Sequence, residues 1–133
     1  MAKGERKARR LAVEVARLCA ENRCSDVAVL DLRKRSPVAM FFVIATGTSA
    51  RQMRTVAARC KEEHEALGEK PFAIEGLETG AEEARWILVD YVHVVVHVFS
   101  ESSRTYYDLE LLWGDAPRVD WQKGWTPRAD DDV

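Results

Sequence analysis

No run of about 18 consecutive apolar residues occurs in this chain, so no membrane-spanning helix is expected. The basic start is not followed by an unbroken apolar region, so a secretory signal is not expected either. Cysteine is sparse. Cys19, Cys24 and Cys60 are the only three, an odd number that leaves at least one unpaired. Reduced thiols in a cytoplasmic setting are the simplest reading. Cys19 and Cys24 have neither zinc-type spacing nor a second pair to complete a tetrahedral set. No charge sign dominates: 20 basic and 22 acidic residues give a net charge of −2, which makes no general case for nucleic-acid binding. The local exception is residues 1–10, where Lys3, Arg6, Lys7, Arg9 and Arg10 stand against Glu5 alone. A solvated helix start is the ordinary reading of such a cluster, and contact with phosphates is the alternative. A nucleophile elbow, a Walker loop and a dinucleotide fingerprint are all missing.

What is present is a single domain. The chain has 133 residues, 47% of them hydrophobic and 32% charged, without internal repeat. It is organised around Arg85–Phe99, RWILVDYVHVVVHVF, which is rich in Val, Ile, Leu and aromatics. The stretch is long for one strand, so two are expected, Trp86–Asp90 and His93–Phe99, with a bend near Tyr91–Val92. In the second, Val94, Val96 and Val98 point one way, and His93, Val95, His97 and Phe99 the other. Apolar bulk on both faces predicts a central strand covered by helices on at least one side.

Around it the pattern alternates. Ala8, Leu11, Ala12, Val15, Leu18 and Cys19 recur at helical spacing, predicting a helix over Glu5–Glu21. Val27–Leu32 and Ala39–Ala45 read as strands separated by the break at Ser36-Pro37. Ser49 and Gln52 have capping-box spacing ahead of a helix whose stripe is Ala50, Met53, Ala57, Cys60, His64 and Leu67, closed by Gly68. Pro71–Ile74 fits a short edge strand, and Glu75–Ala84 a surface loop. Glu101–Trp113 reads as a last helix with Tyr106, Leu109 and Trp113 on its stripe, ended by Gly114 and Pro117. The domain is expected over residues 1–117. Residues 118–133 form a tail with Trp121 and Trp125 and a partly disordered acidic end. The order predicts an α/β sandwich around a single mixed sheet of about five strands flanked by helices.

Candidate sites are few. His93 and His97 would share a helix face, but four residues along a strand span about 13 Å, too far for one zinc. Asp31 and Asp90 sit near strand ends, as magnesium-binding carboxylates do in nucleotidyl transfer, yet no Asp-x-Asp pair and no Gly-Ser phosphate turn accompany them. Ser49 fits a cap better than an anion site. The aromatic residues Trp86, Tyr91, Tyr106, Tyr107 and Trp113 remain, and such rings often dominate protein interfaces. No catalytic residue, cofactor or metal ligand is assigned.

The segments LDLRKRSPVAMFFVIATGTSARQM, IEG, RWILVDY with VVVHVF, and RTYYDLELLW together resemble the ribosomal silencing factor family, also called Iojap-like. The resemblance covers about Ala12 to Val119. It implies a fold related to nucleotidyltransferases without their catalytic residues. It also implies binding to the large ribosomal subunit through large-subunit protein fourteen, blocking the small subunit from joining and repressing translation. Some members act in subunit assembly, and homodimers are a family tendency. An assembly factor contacting rRNA through the basic N-terminus is the alternative function; a metal-dependent nucleotidyltransferase is a more distant one. Carried over by position, the resemblance puts the partner surface at Trp86, Leu88, Asp90, Tyr91 and Glu75, beside Gly76. Two departures flank it. Val92-His93 stands where the family has Gly-Asp, and the loop Thr79–Ala84 is longer.

Overall fold

A computed structural model describes residues 2–77 and 84–127. Helix α1 (Lys3–Glu21) leads into strands β1 (Ser25–Asp31) and β2 (Phe41–Thr46). Helices α2 (Ala50–Glu62) and α3 (His64–Leu67) follow, then strands β3 (Ala73–Glu75), β4 (Trp86–Asp90) and β5 (Val94–Phe99). Helices α4 (Glu101–Tyr107) and α5 (Leu109–Leu112) end the regular structure. The five strands form one mixed sheet in the order β1-β2-β5-β4-β3. Only β2 and β5 run parallel, joined by the long crossover through α2 and β3–β4; every other pair is antiparallel.

The central strands carry apolar side chains on both faces, and the two faces are covered differently. On one, Val43, Ala45, Ile87, Val89, Val94, Val96 and Val98 pack beneath α1 and α2. Those helices contribute the stripes Leu11, Ala12, Val15, Cys19 and Met53, Val56, Ala57, Cys60. On the other, a smaller cluster of Leu30, Leu32, Ile44, Phe99 and Ala116 lies under the short α4–α5 segment.

The elements stand in the predicted order, with local differences. Ser49 caps α2 by accepting from the Gln52 amide at 3.0 Å, and the Gln52 side chain accepts from Thr48 rather than from Ser49 itself. The α2 helix stops at Glu62 instead of running on to Leu67; α3 then ends at Gly68, whose φ of 90° is the left-handed cap expected there. The last helix is broken as well. Asp108 takes a left-handed φ of 43° and caps α5 through its own carboxylate. The cause is Arg104, whose guanidinium is held by Thr46 Oγ1 at 2.9 Å, the Asp26 carbonyl and Glu110 at 2.8 Å. Drawing Glu110 back to Arg104 requires the chain to turn. As a result Tyr106 stands 82% exposed, not on a buried stripe.

The first part of the tail lies on the body. Val119 donates to Val29 and Arg118 bridges Leu30, so this segment covers the edge of β1. The indole of Trp121 donates to the Val27 carbonyl at 3.0 Å, and Arg17 on α1 donates to the carbonyls of Trp121 and Lys123. The acidic end, Asp130–Asp132, lies outside the described residues, as does most of the long loop before β4.

Candidate partner-binding face

Side chains alternate across a strand, so β4 sends Trp86, Leu88 and Asp90 to the face away from α1 and α2. Pairing then gathers neighbours on that face. Trp86 stands beside Phe99, Leu88 beside His97, and Asp90 beside Val95. On the far side, Glu75 of β3 lies opposite Leu88 and Ala73 opposite Asp90. Four of the five residues expected at the partner surface therefore share one patch: Trp86, Leu88 and Asp90, half-buried, and Glu75, exposed.

Tyr91 is the exception. One position past Asp90, it belongs to the opposite parity and turns into the helix-covered core, where it is 3% exposed. Its hydroxyl lies against the Cys60 thiol, and burial pushes its ionisation well above the ordinary tyrosine range. Burial likewise pushes the Cys60 thiol up to about 12. Tyr91 is a core residue with no surface to offer a partner.

Trp86 is fixed rather than free. Its Nε1–H donates to Nδ1 of His97 at 3.1 Å. Its ring centroid lies 4.9 Å from that of Phe99 and 4.7 Å from that of Tyr107. Phe42 adds an edge contact to His97 at 4.5 Å, and Tyr106 one to Tyr107 at 5.1 Å. The rings form a continuous strip from β2 across β5 and β4 onto α4. Because Nδ1 accepts, His97 carries its proton on Nε2, which is buried without a partner among the described residues. Burial lowers its pKa to about 4, so the ring is neutral at physiological pH. Sequence reasoning left His97 unassigned; it is the residue that orients Trp86. Alternation placed it on the right face, but nothing local in the sequence marks its indole partner.

Turn chemistry frames the patch. Gly76 has a φ of 96°, and a Cβ there would stand 2.3 Å from the Trp86 carbonyl, so the glycine is required by both backbone and space. At the other end, Tyr91 and Val94 pair around a two-residue hairpin loop. Such loops favour glycine at a positive-φ first position. Val92 occupies it here with φ 75°, bonded by its amide to the Asp90 carboxylate at 2.7 Å and spanned by a bond from His93 to Tyr91. The bend is thus kept and the valine carries the strain.

Asp31 and Asp90 do not converge. Asp31 is gripped by Arg33 at 2.6 and 2.9 Å, which holds its carboxyl below the usual range, and it projects to the opposite face from Asp90. Among the described residues no cluster of three or more His, Cys, Asp or Glu side chains is suited to a metal.

The family model described as "Ribosomal silencing factor during starvation" matches residues 5–132. The chain belongs to the ribosomal silencing factor family. It is 41% identical over 109 residues to the ribosomal silencing factor RsfS of Bacillus subtilis, covering 82% of this chain and 89% of that one. It is 29% identical to the chloroplastic Iojap protein of maize, over 82% of this chain and 46% of the longer plant protein. A crystal structure of a Chromobacterium violaceum protein superimposes with a TM-score of 0.69 at 29% identity, over 98% of this chain and 93% of its own. No helix among the described residues is long and apolar enough to cross a membrane.

Proposed function

We propose that this ribosomal silencing factor binds the large ribosomal subunit through large-subunit protein fourteen and, by occupying the subunit interface, keeps the small subunit from joining. Translation is repressed by exclusion of volume, and the proposal assigns no chemistry to the chain. The observation that carries it is the incompletely covered sheet face, where Trp86, Leu88, Asp90 and Glu75 are gathered between the rim strand β3 and the ring strip. A half-buried tryptophan held rigid by a hydrogen bond and two ring contacts is a pre-organised anchor, the kind of group that dominates interfaces of about 1,600 Å². Tyr91 has no part in the contact; it holds β4 against α2.

The protein acts in the cytoplasm, where ribosomes are. The exposed Arg9 and Arg10 of α1 fit a secondary contact with rRNA phosphates, as the assembly-factor reading requires. Co-sedimentation with purified large subunits tests the principal reading. Trp86→Ala is expected to weaken binding by at least about 2 kcal/mol. Undiminished binding by the folded variant removes this face from the contact. Deleting residues 1–10 and measuring the salt dependence of binding tests the rRNA contact, because lost phosphate contacts flatten that dependence.

A further inference from the structure

Helix α1 ends in a left-handed cap that places two of the three thiols side by side. The Cys24 amide donates to the Cys19 carbonyl at 3.0 Å, and the Arg23 amide to the Ala20 carbonyl at 3.2 Å. Arg23 between them has a φ of 72°. This pairing of bonds is the Schellman arrangement, which brings the side chain after the left-handed residue against the one a turn back in the helix. Here those side chains are Cys24 and Cys19, so the cap sets the two thiols beside each other. The environment of the two differs. Cys19 is fully buried, whereas Cys24 is half-buried and its sulfur accepts from Gln52 Nε2 at 3.4 Å. Gln52 is itself fixed, donating to the Asn22 carbonyl at 2.6 Å and capping Thr48.

We propose that Cys24 and Cys19 form a peroxide-responsive dithiol, with Cys24 the attacking sulfur and Cys19 the resolving one. The adjacent Cys19 thiol and the Gln52 Nε2–H at 3.4 Å shift the ionisation of Cys24 down, whereas the proximity of Cys24 and full burial push that of Cys19 up. The Cys24 thiolate attacks one oxygen of hydrogen peroxide. The O–O bond breaks, an S–OH forms, and hydroxide leaves to take up the proton that Cys24 gave. The Cys19 sulfur then attacks the Cys24 sulfur. An S–S bond forms, the S–O bond breaks, and the departing hydroxide takes the Cys19 proton. Two thiols and one peroxide give one disulfide and two waters, each sulfur losing one electron. The product staples the end of α1 to the start of β1. Cys60, fully buried with its thiolate disfavoured, stays outside the reaction.

The test uses the reduced full-length protein, treated with hydrogen peroxide, then denatured, alkylated and digested with trypsin. Cleavage after Arg17, Arg23 and Arg33 separates the two cysteines. The expected product is peptide 18–23 joined to peptide 24–33, with Cys60 alkylated. Cys19→Ser is expected to accumulate a Cys24 sulfenic acid trapped by dimedone, and Cys60→Ser to behave as the parent. In the untreated folded protein, which needs no variant, Cys24 is expected to be alkylated at least about tenfold faster than Cys60. Oxidation of Cys60 ahead of Cys24, disulfides only between molecules, or equal alkylation rates would each overturn the proposal.

Discussion

The indole of Trp86 and the imidazole of His97, on neighbouring antiparallel strands, are joined by a 3.1 Å hydrogen bond that only a neutral histidine can accept. The bond fixes the ring expected to anchor the partner, and it makes the stability of the face depend on proton concentration.

The His97 pKa is lowered in the folded protein, to about 4 from an ordinary 6.5. Its stabilising effect is therefore complete above pH 6.5. As pH falls the unfolded chain takes up the proton first, and stability is lost down to pH 4, where the folded form also protonates. The loss from this group amounts to roughly 3 kcal/mol. Urea denaturation at pH 7 and at pH 4.5 is expected to show most of that fall in the parent and little of it in His97→Phe. Asp31, held low by Arg33, loses its contribution only below the ordinary carboxylate range, so the two effects separate along the pH axis.

Val92 sits 48% exposed in a left-handed turn position that valine resists. Val92→Gly is expected to raise stability by about 1 kcal/mol, the relieved strain outweighing the extra freedom of the unfolded chain. The midpoint of urea denaturation measures it, and binding to the large subunit is expected to change little.

Gly76→Ala is expected to act in the opposite direction. A Cβ 2.3 Å from the Trp86 carbonyl at φ 96° forces β3 away from β4 beside the anchor. A loss of about 2–3 kcal/mol in denaturant, with weaker subunit binding, is the anticipated result.

Trp121→Ala removes the indole that closes over the Val27 carbonyl and loosens the segment covering the β1 edge. About 2 kcal/mol of stability is expected to disappear. Subunit binding should persist, since this segment lies at the opposite edge of the sheet from β3.

Much of this was legible in the sequence because apolar runs carry their own register. The Val94, Val96, Val98 alternation placed His97 and Phe99 on the second face, and β4 alternation gathered Trp86, Leu88 and Asp90 there. Tyr91 was misplaced because it was carried over by position from the family resemblance; the expected bend is there, but strand parity continues through Tyr91 and turns its ring into the core. The break at Asp108 was hidden because a distant group decides it. Arg104 is anchored on β1 and β2, and only those strands reveal why Glu110 must fold back. Docking of Trp121 depends on a backbone carbonyl at Val27, which has no sequence signature.

The central claim is that the uncovered face of β4 grips the large subunit and so excludes the small one. The most direct measurement is light scattering of subunit association with saturating protein, comparing the parent with Leu88→Lys. The lysine faces Glu75 across the β3–β4 pair, so the fold is retained while the apolar contact is lost. The account predicts that the parent suppresses formation of joined ribosomes and that Leu88→Lys does so at least about tenfold less effectively. Joining at full speed with the parent present, or equal suppression by the variant, would contradict it.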